Sequence, residues 1–126
     1  ISRFMSELKR FAIENDISVN LVAHQVTPQK TEDGRYYKPD VNKIKGGGTF
    51  ADKADNVAYV WRPNRALDFS DTSVIFGTQK IKKQKLVGIP QDVTGINFNV
   101  REQRYYFNGY TPFNDIDAKR CERKQE

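Results

Sequence analysis

The sequence predicts an α/β layer fold: a mixed sheet, helices against it and a β-hairpin at one edge. Three observations predict it. Ile1, Phe4, Met5, Leu8, Phe11 and Ala12 share one helical face, with Ser6, Glu7, Lys9 and Arg10 opposite. That helix feeds a run at 17–23 whose second half is apolar on both faces, as in a strand covered on both sides. Far along the chain, Ile96, Phe98 and Val100 alternate with Asn97, Asn99 and Arg101, the pattern of a half-exposed strand.

Taken in order, the helix starts at residue 1 with no capping residue before it, so it reads as cut from something longer. Glu14-Asn15-Asp16 stops it, and 17–23 is the first strand. From Gln25 to Gly48 there is no apolar periodicity, but there are Pro28, Gly34, Pro39 and a triglycine. A loop that long is functional or disordered. Thr49 is placed to cap a short helix over 50–54, with Lys53 in its last turn. Strands follow at 56–61 and 72–81, separated by a loop with Pro63, Asn64 and Asp68. A basic connection at 82–95, with Gly88 and Pro90, leads to strand 96–101, and 104–108 returns as its hairpin partner. Residues 1–110 form the predicted domain and 111–126 a charged tail.

The 126 residues suit one domain. Lys and Arg number 21 against 16 acidic residues, a net charge of +5 that is compatible with nucleic-acid or phosphate partners. No run of apolar residues reaches the roughly 20 that a membrane-spanning helix needs. One cysteine, Cys121, excludes an internal disulfide framework and a cysteine zinc site, and one histidine, His24, excludes a His-rich metal site. No metal ligands are expected. The phosphate loop G-x-x-x-x-G-K-[ST] and the motifs G-x-G-x-x-G, H-E-x-x-H and G-x-S-x-G are all missing from the sequence.

Three constellations carry chemistry. His24 and Gln25 follow the apolar run, where open α/β sheets present ligand-facing groups; they are either phosphate contacts or groups satisfied at a strand end. Gly46-Gly47-Gly48 before a helix either offers backbone N–H groups to an anion or is a surface turn. Lys80, Lys82, Lys83 and Lys85 are the densest basic cluster, either a polyphosphate contact or a solvated, edge-protecting run.

In order and spacing these pieces resemble the replicative hexameric helicases of the DnaB type, which include phage primase-helicases and the mitochondrial Twinkle helicase. The resemblance rests on Ala23-His24-Gln25, Ile44-Lys45-Gly46-Gly47-Gly48-Thr49-Phe50, Ala54-Asp55-Asn56-Val57, the aromatic strand ending at Arg62, and Lys80-Ile81-Lys82 before Gly88. It covers about residues 1–108.

The resemblance implies the C-terminal half of a RecA-like, P-loop NTPase core, with the Walker A loop and Walker B strand upstream. It implies ATP and Mg²⁺ as cofactors of the full-length protein, none of them bound by this part alone. Single-stranded DNA and a homo-oligomeric ring, a hexamer in that family, are the implied partners. DNA replication in the cytoplasm of a bacterium or a phage-infected cell is the implied setting. His24 matches the residue that contacts the γ-phosphate, with Gln25 beside it. Lys80 and Lys82 match the Lys-x-Arg that reaches a neighbouring subunit's nucleotide. Lys82 stands where the family has an arginine finger, and lysine lacks the planar fork for bidentate contact; Lys83, one residue on, is the alternative. Lys30, Arg35, Lys38, Lys43, Lys45 and Gly46 to Gly48 match the central-channel DNA loops. The rival readings are another RecA-like ATPase of recombination or repair, and a non-catalytic nucleic-acid-binding module.

Overall fold

The structure, a computed structural model, describes residues 1–25, 27 and 29–115. Of the charged tail expected at 111–126, residues 116–126, with Cys121, lie outside them. The fold is α/β with a four-stranded antiparallel sheet.

Helix α1 spans Ser2–Glu14, as its apolar spacing requires, and buries Met5. It ends in a Schellman motif: Ile17 N–H donates to Ala12 O and Asp16 N–H to Ile13 O, with Asp16 left-handed at φ 51°. The Asn15 amide adds a bond to Phe11 O at 2.8 Å. The predicted stop is therefore a cap built by an aspartate where glycine is usual.

The predicted strand at 17–23 does not form. These residues are in no ladder, and Ile17, Val19, Leu21 and Val22 are exposed, Val22 by 82%. A strand apolar on both faces needs paired neighbours and a layer on each side, and the described residues supply neither. His24, beyond it, is exposed.

Helix α2 spans Gly47–Lys53. It starts two residues before Thr49, because Gly46, left-handed at φ 81°, makes the entry turn and no side chain caps it. Helix α1 packs on α2, and α2 on a 3₁₀ turn at Val41–Lys43.

The sheet is a meander in the order β1-β2-β3-β4, with β1 Asn56–Trp61, β2 Ser73–Ile81, β3 Asp92–Asn99 and β4 Arg104–Phe107. Every pairing is antiparallel, which corrects the expectation of a mixed sheet. The hairpin at the chain's end forms as predicted, with Phe98 opposite Tyr105. Strand β3 starts earlier than predicted, at Asp92, and the rest of the basic connection holds a one-turn helix α3, Gln84–Val87.

Tyr59, Val74 and Ile81 are the buried hydrophobic residues of the sheet. Tyr59 faces Gly77 directly across β1 and β2, and its ring lies over that glycine's bare backbone. Packing continues past residue 110, since Thr111 is fully buried.

Candidate functional site

The three lysines at the end of β2 have three different fates. The Lys80 ammonium donates to Ala51 O at 2.6 Å and Asp52 O at 3.3 Å, carbonyls in the last turn of α2. A cation there satisfies orphan carbonyls and the helix dipole, so Lys80 is committed to holding α2 on the sheet. Lys82 is exposed, with its ammonium 3.3 Å from Asp55 Oδ1 and its backbone N–H bonded to Asp55 O at 3.0 Å. Lys83 is exposed and precedes α3. Past it, Leu86, Val87 and Ile89 are exposed apolar residues, Leu86 by 81%.

His24 makes no side-chain hydrogen bond with the described residues, so nothing there holds it against the lysines. Gln25 turns elsewhere, its amide donating to Asp40 O at 3.2 Å. The Gln25 amide is thus engaged with the main chain of the loop.

The long polar loop is fastened down. Trp61 Nε1 donates to Tyr36 O at 3.1 Å, and Tyr36 N–H donates to Pro63 O at 3.0 Å. Asp40 caps the 3₁₀ turn through Asn42 N–H and accepts from Gln79 Nε2 at 2.8 Å, while Gln79 Oε1 receives Val41 N–H at 2.9 Å. The Tyr59 hydroxyl donates to Asp92 Oδ1, and Lys38 reaches Asp92 Oδ2 at 2.9 Å with its ammonium 5.2 Å from the Tyr59 ring centre. These groups border an open cleft of about 560 Å³. Since Lys38, Asp40, Tyr59, Gln79 and Asp92 are already paired with one another, the cleft is a loop-to-sheet seam. Sequence reading missed this clamp; the visible signal was a Tyr in one strand and a Gly in the next.

The clamp predicts an acid transition. The Tyr59 hydrogen bond, then Lys38, hold the Asp92 carboxyl below its ordinary 3.8. The Gln79 amide, then Asn42 N–H, do the same for Asp40. A depressed carboxyl contributes stability that is complete above its unfolded value and is lost as pH falls through the folded one. Trp61 emission should therefore shift to the red below about pH 3.8, as the loop leaves the sheet. Asp92→Asn should remove part of that change; an identical acid profile would show that Asp92 does not fasten the loop.

Most of the expected DNA-contacting cations already have partners in the loop or the sheet. Arg35 pairs with Asp33 at 3.4 Å, Lys38 with Asp92, and the Lys30 and Lys43 ammonium groups lie 5.8 and 5.3 Å from the ring centres of Tyr36 and Tyr37. Lys45 is exposed and makes no charge contact with the described residues. Of the glycines beside it, Gly46 makes the turn, Gly47 is buried, and Gly48 is open, with nothing within 4 Å of where a Cβ would stand. Arg62, the end of the aromatic strand, closes its own loop by donating from Nη2 to Asp71 O at 2.8 Å.

Comparison with family models, with curated proteins and with solved structures gives no match.

Proposed function

We propose that this chain is the C-terminal half of the RecA-like core of a DnaB-type replicative helicase, which moves along single-stranded DNA as an ATP-driven ring. The observation that carries the reading is the 17–23 run. Its second half is apolar on both faces, the run is unpaired and its apolar residues are exposed, and it leads directly into His24-Gln25. Such a segment belongs inside a larger parallel sheet, and His24 would then stand at a strand's carboxyl end, where α/β folds bind ligands.

The division of labour among the lysines suits that reading. Lys80 builds the platform, and Lys82 and Lys83 project from it, available to a phosphate on a neighbouring subunit. Positive charge delivered across an interface stabilises the phosphoryl-transfer transition state. ATP would meet this half through Lys82 and His24. Mg²⁺ would be held with the ATP phosphates by the Walker A and Walker B residues upstream, as the resemblance implies. Lys45 and the open Gly48 would follow the DNA backbone without reading bases.

Two measurements on one preparation test the reading. The 126-residue chain should not hydrolyse ATP, because it has no phosphate loop. The protein that joins it to its Walker A half should hydrolyse ATP faster with single-stranded DNA and unwind a forked duplex. Turnover by the purified chain, or a folded longer protein that ignores ATP, would refute it.

A further inference from the structure

Asp55 sits just before β1 and faces Lys82, one step beyond the last β1–β2 pair, Asn56 with Ile81. One carboxylate oxygen, Oδ1, serves two cations: Lys9 from α1 at 2.8 Å and Lys82 at 3.3 Å. The main-chain carbonyl of Asp55 holds the Lys82 N–H separately, at 3.0 Å. Lys82 is thus fixed at its root by backbone and held at its tip by a shared carboxylate.

We infer that Asp55 is the positioning residue for Lys82, parking its ammonium until an outside phosphate takes it, with Lys9 keeping the carboxylate paired after it leaves. The inference rests on the proposed function for the identity of that phosphate, a neighbouring subunit's nucleotide, but not for the exchange itself.

The asymmetry of the two contacts decides which lysine moves. Lys9 has the shorter, hydrogen-bonded contact and ties α1 to the start of β1. Lys9 is also the largest influence holding the Asp55 carboxyl below its ordinary range, ahead of Lys82. Lys82 has the longer contact, and 56% of its side chain is exposed. Exposed pairs of this kind are weak, so a polyphosphate with several negative oxygens competes for Lys82 easily. Were Lys82 the sole partner of Asp55, its departure would leave a bare carboxylate repelling the arriving phosphate. Lys9 removes that repulsion. The backbone bond means that only the side chain has to swing, so little order is lost in the exchange.

Ammonium NMR of the lysine side chains in the 126-residue chain, with inorganic tripolyphosphate as the probe, tests this directly. Asp55→Asn keeps the main-chain carbonyl and should move both the Lys9 and the Lys82 signals from their carboxylate-bound positions. Added tripolyphosphate should move Lys82 in the wild-type chain and leave Lys9 in place. Lys9→Gln leaves Asp55 with Lys82 alone and should weaken tripolyphosphate binding by up to about fivefold, the range of an exposed pair. A Lys82 signal that ignores Asp55→Asn or tripolyphosphate, or a Lys9 signal that moves with it, overturns the inference. In the longer enzyme, Asp55→Asn should lower kcat and leave KM for ATP nearly unchanged, with Asp55→Glu recovering part of the loss. Full turnover in Asp55→Asn alongside a dead Lys82→Ala would sink Asp55 alone; full activity in both Lys82→Ala and Lys83→Ala would sink the helicase reading and leave the NMR result standing.

Discussion

On the proposed helicase reading, Lys82→Ala in the complete protein should reduce ATP turnover by about 10³-fold or more while nucleotide binding persists, the scale of losing a charge supplied in trans to phosphoryl transfer. The effect is on kcat because Lys82 would act on the γ-phosphate held by a neighbour and contributes nothing to that neighbour's cradle. Mixing Lys82→Ala subunits with subunits mutated in Walker A should restore some activity, since one type of interface in the mixed ring then has both halves intact. The structure makes the controls sharp. Lys80→Ala should loosen the end of α2 and lower stability by about 1 kcal/mol, because its ammonium is bonded to Ala51 O and Asp52 O. Its turnover should fall only with that stability. Lys83→Ala tests the one-residue shift: if it is dead and Lys82→Ala is active, Lys83 is the finger. Lys82→Arg should retain or raise activity, since guanidinium adds the planar fork that lysine lacks.

Gly47→Ala should destabilise the chain by about 3 kcal/mol, the upper end for overpacking, and lower Tm by roughly 10 °C. A Cβ at residue 47 would stand 2.7 Å from Asn42 Cα and 2.8 Å from Asn42 C, and against the Val41 carbonyl. All three are main-chain atoms, so no side chain can swing away to relieve the clash. The sequence suggests that Gly47 lets the backbone approach a phosphate; its burial assigns it to the packing of α2 on the 3₁₀ turn instead. Gly48→Ala is the matched control. It meets nothing within 4 Å, and alanine in a helix gains roughly 0.5–1 kcal/mol over glycine. Thermal melts of the two variants should therefore move in opposite directions. DNA binding is then read where stability is untouched: Lys45→Ala should reduce the log–log salt slope by about 0.7 for each phosphate that Lys45 neutralises on a single strand. An unchanged slope would remove Lys45 from the DNA path, and a stable Gly47→Ala would mean that α2 does not sit on the turn.

Local patterns in the sequence were enough for the elements that close on themselves. The 3.6-residue spacing from Ile1 to Ala12 specified α1, and the Asn15-Asp16 pair specified its end, because capping needs only neighbouring residues. Alternation over 96–101 specified the hairpin, whose strands lie a few residues apart. Tertiary structure decided what depends on distant partners. The 17–23 run reads as a strand, yet a strand exists only when another lies beside it, and none of the described residues does. Of three similar lysines, one became a helix cap and one the shared partner of a carboxylate, and no spacing rule separates those outcomes. Gly47 and Gly48 are neighbours in one triglycine and opposite in role, because one faces the Val41–Lys43 backbone and the other faces open space. Periodicity reports which face of an element is apolar; which atoms arrive at that face is settled only when the chain folds back on itself.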